Sequence, residues 1–555
     1  MITEIGALVG ATTAGYLGLK APNRLRLSLA KHPSLAGHPR LARRVARRLP
    51  YYRHTGDAFF VCDGAPPAIV ERRRRGFETL AGEAAQRCPR SIAYARSLEA
   101  SVADAAFINR HRVPFPFREG VRDALPLASI IEATEGNRVR DADGNWAWDV
   151  TGSYGMNVLG HEAYQACLER GAERARAVGP YLGGYHPVVA DNAELLQRLA
   201  GLDAVSFHMS GTEAVMQAVR LARYHTGRRR IVRFAGAYHG WWDGVQVGVG
   251  SQRPAPDCLT LRDADERSLR MLAKRRDIAA VLVSPLQVLH PNQAAPGDGT
   301  LVGARAVSNP DTAAYARWLA QLRSVCTERG IALIFDEVFS GFRIAAGGAQ
   351  EYFGVAADLV TYGKSLGGGL PVGVLCGRAS LMKRYRDDRP ADICFARGTF
   401  NAHPYVMTCM NEFLLRLDAG DLATSGADSG PWQARVARLN AALTANELPL
   451  AAAHIGSVVT LGYTAPSRYN WMFQFYLRAQ GLALNWTGTG RLIFSHDYSE
   501  ADFNAVIDAI VDAGHAMHRD GWWWHPAGQT NRRIGRQITG EMIRARLGRE
   551  PRAAE

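Results

Sequence analysis

The chain has 555 residues, which is too long for one small hydrophobic core, so two or more domains are expected. Its 47% hydrophobic, 9% aromatic and 21% charged residues exclude a disordered chain and indicate a soluble globular protein. No run of about 20 apolar residues is present, and residues 5–19 follow Glu4 rather than a basic segment, which argues against a secretory signal. The eight cysteines are scattered without a Cys-x-x-Cys pair, which favours a reducing, cytoplasmic compartment.

The net charge of +14 is concentrated near the N-terminus. Residues 1–120 contain 20 Lys/Arg and 9 Asp/Glu, a balance of +11, so the rest of the chain is close to neutral. Arginine clusters at 43–48 and 72–75 fall on segments whose pattern is typical of amphipathic helices. They are interpreted first as solvated helix faces, with an anionic partner or surface for residues 1–110 as the alternative. No zinc-finger spacing or RNP-like aromatic motif is present, so no nucleic-acid partner is predicted.

Along the chain, the composition changes at a few places that predict domain boundaries. Short apolar runs, such as 204–208, 231–234 and 331–335, alternate with helical patterns, as in a parallel sheet covered on both faces by helices. The prediction is a basic, mostly helical extension at 1–110, the first part of a smaller domain at 111–170, a large domain at 171–410, the rest of the smaller domain at 411–520, and a tail at 521–555.

Residues 210–214, Ser-Gly-Thr-Glu-Ala, follow an apolar strand and begin a helix. Ser-x-x-Glu at a helix start is a capping box, which would give these residues a structural role alone. The exposed amides of a helix N-terminus also bind anions, and glycine permits close approach, so phosphate binding is the second interpretation. Tyr238-His239-Gly240 follows a later strand. The tyrosine ring there either packs in the core or lies on a planar ligand.

Asp336 and Glu337 end a buried strand, at the edge where ligands collect in open α/β sheets. No histidine or third acid lies at ligand spacing, so no metal site is predicted. A single acid could instead keep a pyridine nitrogen protonated and make that ring an electron sink. Lys364 follows in a glycine-rich turn, and it is one of only five lysines among the 66 basic residues. Because an amine can condense with an aldehyde and a guanidinium cannot, this position favours a Schiff-base lysine.

This order of phosphate cradle, aromatic residue, strand-end aspartate and lysine in a glycine turn resembles the class III aminotransferases, and within them the glutamate-1-semialdehyde 2,1-aminomutases. The resemblance extends from about residue 113 to about 515. It implies an α/β fold of pyridoxal-5′-phosphate-dependent transferase fold type I, in which a large domain with a mixed, mostly parallel sheet accompanies a smaller α+β domain, here with a helical N-terminal extension. It also implies pyridoxal 5′-phosphate (PLP) as cofactor. The additional motifs that carry it lie at 141–145, 152–154, 159–161, 335–343 and 363–373.

Carried over position by position, the resemblance gives each cofactor residue a role. Lys364 would form the Schiff base and then move protons as general acid and base. Asp336 would pair with the pyridine nitrogen, and Val338 would pack on one face of the ring. Tyr238 would cover the other face, with His239 beside it.

The same resemblance assigns the phosphate group to the helix that begins after Ser210. The amides of Gly211 and Thr212 and the hydroxyls of Ser210 and Thr212 would hold it. Thr399 is similar to the family threonine that reaches the phosphate of the neighbouring subunit. The resemblance therefore implies a homodimer with a shared active site.

The substrate side departs from the family pattern. Arg118 stands where the aminomutases have a carboxylate-binding arginine, but Phe115 replaces the serine of that segment, and a plain surface arginine is the alternative. Ser153 and Tyr154 stand at pocket-lining positions, with tyrosine in place of the aminomutase tryptophan. Gly490 falls near the position of the aminomutase pocket glutamate, and the adjacent Arg491 could meet a substrate carboxylate.

These features predict a PLP-dependent enzyme that moves an amino group between a small-molecule amino donor and an aldehyde or keto-acid acceptor through Lys364. The alternative is an isomerase-type reaction, amino migration within one molecule as in the aminomutases. Two further departures, Met209 before the phosphate segment and Ser284-Pro285 in place of Glu-Pro, leave the substrate open.

Overall fold

The computed structural model of the chain describes residues 22, 24–110, 113–126, 129–248, 256–285, 302–422, 430–484 and 490–548. The chain divides into two compact units. The first unit comprises 1–47, 170–295 and 311–415, and the second comprises 48–169, 296–310 and 416–555. The five predicted segments and their boundaries stay predictions, and the described part of residues 1–110 is shared between both units. Among the described residues, no helix is long and apolar enough to cross a bilayer.

The strands are numbered in chain order. They are β1 Ile131–Glu135, β2 Arg138–Asp141, β3 Trp146–Asp149, β4 Ala204–His208, β5 Arg230–Phe234, β6 Cys258–Leu261, β7 Ile278–Val283, β8 Ala332–Asp336, β9 Leu359–Gly363, β10 Gly373–Gly377, β11 Tyr385–Arg386, β12 Arg389–Ile393, β13 Leu450–Ile455, β14 Val458–Tyr463, β15 Leu482–Ala483 and β16 Arg491–Ile493.

The α-helices are given by their residue ranges. They are Pro39–Ala46, Ala58–Val61, Pro67–Arg87, Pro89–Ser101, Ala103–Arg110, Arg118–Ala124, Gly152–Gly155, His161–Ala175, Val188–Ala200, Gly211–Thr226, Glu266–Lys274, Thr312–Arg329, Gly348–Phe353, Ala379–Met382, Pro404–Asp418, Pro431–Ala445, Phe473–Ala479, Glu500–Arg519 and Asn531–Arg546.

The first unit is built on a seven-stranded sheet in the order β4-β10-β9-β8-β7-β5-β6. β10 runs antiparallel to both of its neighbours, and the other paired strands of this sheet are parallel. The strands β7 to β10 are buried along their full length, because helices cover both faces of such a sheet. The predicted α/β fold with a mixed, mostly parallel sheet is confirmed.

Helices of the first unit begin and end at residues that satisfy their terminal backbone groups. The helix Thr312–Arg329 begins after Asp311, whose carboxylate accepts a hydrogen bond from the Ala314 amide at 2.8 Å. It ends at Gly330, which has a φ of +57° and stops the helix in a left-handed conformation. The helix Gly211–Thr226 buries Ala218, Leu221 and Ala222 in the core cluster that contains the central strands.

The second unit contains two small sheets, in the orders β1-β2-β3-β15 and β13-β14-β16. Its hydrophobic core also takes in residues from the predicted N-terminal extension and from the tail. Phe59 and Phe60 contact Trp522 in this core, and Ile534 is buried in the same cluster. Residues 48–110 and the described part of the tail are therefore integral to the second unit.

Two buried ion pairs lie where residues 48–110 and the tail pack within the second unit. The Arg73 guanidinium donates two hydrogen bonds to the Asp63 carboxylate, at 2.8 and 2.7 Å, and one to the Gly521 carbonyl at 3.0 Å. Arg468 donates to both carboxylate oxygens of Glu541, at 2.8 and 2.9 Å. Because a buried charge is costly unless it is paired, these contacts fix how the segments pack.

Candidate active site

The site is built at the end of β4, where the helix Gly211–Thr226 begins. Ser210 caps this helix, and its hydroxyl accepts a hydrogen bond from the Glu213 amide at 3.3 Å. Glu213 in turn accepts a hydrogen bond from the Met209 amide at 2.9 Å. Ser210 is therefore an N-cap as predicted, but the Glu213 carboxylate accepts from Met209 rather than from the Ser210 amide, so the predicted capping box is only half formed. The structural role of this segment is thus a single N-cap. It leaves the first amides of the helix without intrahelical acceptors, as at every helix N-terminus, and these can still bind an anion.

Three glycines bring the predicted cofactor residues into contact. A Cβ on Gly211 would lie 2.6 Å from Val338 Cγ1, and one on Gly363 would lie 3.2 Å from the same atom. Gly240 has a φ of +87°, and a Cβ there would lie 2.7 Å from Thr212 Oγ1. The helix N-terminus, Val338, the residue before the lysine and the Tyr-His-Gly turn thus meet in one place, with no room for side chains at the glycines.

Asp336 is buried at the end of β8 and held by three hydrogen bonds. His239 Nδ1 lies 2.7 Å from Oδ2, and Oδ1 accepts from the Thr361 hydroxyl and the Val338 amide, both at 3.2 Å. A carboxylate offers about four lone-pair sites, so one position on Oδ2 stays available for a further donor. His239 Nε2 is buried and has no hydrogen-bond partner among the described residues.

Lys364 follows β9 directly, and its backbone has a φ of +43°, in the left-handed region. Burial lowers the pKa of its amine, Asp336 raises it, and Arg343 lowers it further, with a net lowering. The ammonium nitrogen lies 5.6 Å from the centre of the Phe339 ring. A lowered pKa increases the fraction of neutral amine near pH 7, which is the form that attacks a carbonyl carbon.

Tyr238 and Thr399 are the exposed members of the predicted set. The Tyr238 side chain is 66% exposed, and the pKa of its hydroxyl is raised by partial burial and by Asp336. Thr399 lies in an exposed turn that follows β12. The structure thus clusters Ser210, Gly211, Thr212, His239, Asp336 and Val338 through direct contacts, and no described contact joins Thr399 to them.

These residues fit PLP. Its phosphate matches the helix N-terminus, its pyridine nitrogen matches the remaining lone pair of Asp336, and its aldehyde matches the amine of Lys364. Glycine rather than a larger residue at 211 and 240 keeps the space beside the helix N-terminus open.

Comparison with known proteins agrees with this geometry. The family profile described as Aminotransferase class-III matches residues 121–255 and 307–513. The chain belongs to the class III aminotransferases. The predicted family and the predicted fold type I are confirmed, and PLP is the cofactor of this family.

Individual proteins of the class III family are also similar to this chain. The chain is 35% identical over 295 residues to a glutamate-1-semialdehyde 2,1-aminomutase of Alkaliphilus oremlandii, covering 50% of this chain and 64% of that protein. The first curated relatives are thus matched over somewhat less than two thirds of their length. The aminomutase of Nitratidesulfovibrio vulgaris is 32% identical over 407 residues, covering 70% of this chain and 92% of the relative. A β-phenylalanine aminotransferase from Variovorax paradoxus superimposes with a TM-score of 0.63 at 25% identity, covering 83% of this chain and 100% of that one.

The predicted substrate residues of this class III aminotransferase lie in the second unit. Arg118 begins the helix Arg118–Ala124, and its Nε donates to the Val113 carbonyl at 3.1 Å. Ser153 and Tyr154 have φ angles of +46° and +58°, and Tyr154 is 53% exposed. Arg491 is half-buried in β16, and the pKa of its guanidinium is lowered by burial and by Arg305.

Within the second unit, the segment that contains Ser153 and Tyr154 contacts β16, the strand that contains Arg491. A Cβ on Gly152 would lie 2.7 Å from Ile493 Cγ2, and the Ile493 amide donates to the Val150 carbonyl at 2.9 Å. The turn that carries Ser153 therefore packs against the strand that carries Arg491. The left-handed φ angles at two consecutive non-glycine residues are a form of backbone strain that often marks functional turns.

Sequence reasoning missed two side chains that organise the cofactor site. Thr361 holds Asp336 from β9, and only its position three residues before Lys364 could have pointed to it. Glu337 was noted only as the neighbour of Asp336. Its carboxylate is buried and accepts hydrogen bonds from the Ala349 amide at 2.6 Å and the Ser340 hydroxyl at 3.3 Å. Burial raises the pKa of Glu337 to about 7.

Proposed function

We propose that this class III aminotransferase moves an amino group between a small-molecule amino donor and an aldehyde or keto-acid acceptor, with Lys364 as the reacting side chain. The observation that carries the proposal is the contact cluster that joins the helix N-terminus at Gly211, Val338 and Asp336, with Lys364 directly after β9. Each part of PLP finds a complementary group there. A purely structural cluster would have no need for a lysine with a lowered pKa.

PLP, when bound, supplies an electrophilic aldehyde carbon and a ring that withdraws electrons from the substrate. The Gly211 and Thr212 amides bind its phosphate, with the Ser210 and Thr212 hydroxyls beside them. Asp336 holds a proton on the ring nitrogen by ion pairing, and the contacts from His239 and Thr361 keep this carboxylate in place. Val338 packs on one ring face, and Tyr238 covers the other.

Lys364 Nζ is the atom that would link the chain to the cofactor and later carry a proton. Burial lowers the pKa of this amine and so favours the neutral form, which can accept a proton from a substrate carbon and return it as an ammonium. The nearby carboxylate of Asp336 raises the same pKa and opposes that shift.

We also propose a homodimer that shares its active site, in which Thr399 reaches the phosphate bound by the other subunit. The support is its exposed position in a turn that follows β12. The substrate residues are proposed to be Arg118, Ser153, Tyr154 and Arg491.

We also propose a cytoplasmic location, which the scattered cysteines support. An anionic partner is proposed for the basic N-terminal segment because of its local positive charge.

Amino migration within one molecule is the second candidate function. The curated aminomutases of Alkaliphilus oremlandii and Nitratidesulfovibrio vulgaris favour it by their identity to this chain. Gly490 at the position of the pocket glutamate and Phe115 at that of the serine argue for a different substrate pocket. We therefore place transfer between two molecules first.

Chemical trapping tests the role of Lys364. The protein loaded with PLP is reduced with borohydride, digested and mapped by peptide mass. We expect the pyridoxyl mass on the peptide that contains Lys364, both in the wild type and in the control Lys383→Ala, and its absence in Lys364→Ala. Lys383 is a matched control because it is a partly exposed lysine of the same unit, paired with Asp387. Labelling elsewhere, with none at position 364, would refute the assignment.

A second assay separates transfer from migration. Protein loaded with pyridoxamine 5′-phosphate is mixed with a panel of aldehydes and keto acids, and return of the aldehyde form is followed by absorbance. Transfer predicts that turnover of an amino donor requires one equivalent of such a carbonyl compound. Full conversion of a substrate with no second carbonyl present would favour migration.

A further inference from the structure

A large cavity in the first unit is lined by none of the proposed cofactor residues. Its volume is about 990 Å³, and its walls come from three segments, at 24–44, 256–260 and 274–277, together with Arg230. The lining contains nine Lys/Arg side chains and a single acid, Asp277. Two of the five lysines of the chain, Lys31 and Lys274, are among them.

The positive charge of this basic cavity exceeds what its acid can balance. Asp277 already pairs with two of the lining arginines, Arg230 and Arg275, the latter at 2.5 and 2.7 Å. The other cations come from distant parts of the sequence, so the fold itself gathers them around one concave space. Like charges in a concavity raise the local potential and concentrate anions there.

The N-terminal segment is anchored where it forms the cavity. Lys31 forms a β-bridge with Leu261 at the end of β6, and the Arg262 amide donates to the Ala30 carbonyl at 3.1 Å. These contacts attach the N-terminal segment to the edge strand β6, and arginines of the helix Pro39–Ala46 line the same cavity as this strand. The basic wall is therefore part of the folded first unit, with fixed partners on the sheet edge.

A buried hydroxyl in the cavity lining lacks a partner. Thr260, on β6, is 4% exposed, and its Oγ1 has no hydrogen-bond partner among the described residues. Buried polar atoms are nearly always hydrogen-bonded, so an unpaired one that lines a cavity indicates a ligand or water there. Leu27, Leu41 and Leu259 add apolar area to the same walls.

We propose that the basic cavity is a binding site for a phosphate-bearing anion. Arginine and lysine side chains from two sides of the cavity, the segments 24–44 and 274–276, would contact the phosphate oxygens, as they do in proteins that recognise phosphate. The apolar wall would accept a non-polar portion of the ligand, and the volume is at the upper end of small-molecule sites. The chemistry fits a soluble polyphosphate ester or a phospholipid headgroup. The site goes beyond the proposed amino transfer and does not depend on it.

The test uses the full-length, PLP-loaded protein and two probes: inorganic triphosphate, followed by calorimetry, and vesicles of phosphatidylcholine with phosphatidylglycerol, followed by co-sedimentation. The charge-reversal variant Arg40→Glu/Lys274→Glu changes one residue on each side of the cavity. We expect it to weaken binding by at least about tenfold, since charge-assisted hydrogen bonds to phosphate are lost. The variant Arg40→Lys/Lys274→Arg should retain binding.

A matched control separates the cavity from overall charge. Arg532→Glu/Arg536→Glu makes the same change in net charge on exposed residues of the second unit and should bind like the wild type. Triphosphate binding supports a soluble ligand, and binding to anionic vesicles alone supports a headgroup. Equal loss in the control variant, or no binding of either probe, would overturn the proposal. Borohydride labelling at Lys364 should be the same in all variants, so failure here is distinct from failure of the proposed amino transfer.

Discussion

Glu541, in the tail, is the most informative position for testing how the second unit is stabilised. Its side chain is 3% exposed and accepts hydrogen bonds from both terminal nitrogens of Arg468 and from the Tyr52 hydroxyl at 2.8 Å. The His54 ring lies 3.7 Å away. Burial by itself raises the pKa of Glu541, but the contacts with His54 and Arg468 outweigh it and lower the pKa to about 2.

We predict that Glu541→Gln destabilises the second unit by about 3–5 kcal/mol at pH 7, because it leaves the buried Arg468 cation without its partner. The pH dependence gives a second, independent value for the contribution of the Glu541 carboxylate to the free energy of unfolding. A shift from the ordinary value of 4.5 to about 2 corresponds to about 3 kcal/mol at 1.36 kcal/mol per unit. Since the folded-state pKa is depressed, this stability is present above pH 4.5 and is lost as the pH falls towards 2.

The assay is urea unfolding followed by tryptophan fluorescence, at several pH values from 7 to 3. Trp471 and Trp522 are fully buried in the second unit and report its unfolding. The control is Glu500→Gln, which removes a carboxylate paired with Arg435 and Arg438 but 56% exposed, and should cost at most about 1 kcal/mol. A cost for Glu541→Gln within about 1 kcal/mol of the control, with an unchanged pH slope, would refute the reasoning.

The cofactor site gives three further predictions. Gly211→Ala should weaken PLP binding, because its Cβ would meet Val338 at 2.6 Å, and the double variant with Val338→Ala should recover part of it in an equilibrium titration. The pKa of the Glu337 carboxyl is raised to about 7, so the folded wild type retains this proton and should lose about 3 kcal/mol of stability as the pH rises from 4.5 to 7. Glu337→Gln should abolish this pH-dependent loss, and an unchanged pH dependence would contradict the prediction. Thr361→Val should reduce the proton-transfer rate while borohydride labelling at Lys364 persists, since it removes one of the hydrogen bonds that hold Asp336; a wild-type rate would show that this bond is dispensable.

The sheet and the cofactor site could be predicted because their signals are local. The predicted strand segments at 204–208, 231–234 and 331–335 correspond to β4, β5 and β8 within one residue, since each is a short apolar run between breakers. β10 has no such signal of its own, because glycines stand at both of its ends. Asp336 and Lys364 could be recognised because Asp336 ends a buried strand and Lys364 directly follows one, where the chain reaches the sheet edge.

The second unit shows why the rest could not be predicted. Tyr52 and Glu541 are 489 residues apart in sequence, and Arg468 contributes from between them. Nothing in the composition of the basic N-terminal extension distinguishes Arg73, which is buried against Asp63, from Arg75, which is exposed near Glu71. Charge patterning treats both as solvated helix faces, because pairing across long sequence separations has no periodicity to detect.

The excess of positive charge in the N-terminal region has a different environment in each of the two units. In the second unit, Arg73 meets a buried carboxylate, so part of the surplus is consumed by internal pairing. In the first unit, Arg40 and Arg44 line a cavity whose acid, Asp277, is already shared by two other arginines. A charge that serves folding is met by a carboxylate of the same chain, whereas the nine Lys/Arg side chains that line this cavity outnumber its single lining acid. The positive charge of Arg40 and Arg44 therefore has the arrangement of a binding surface, which an anion from outside the chain would complete.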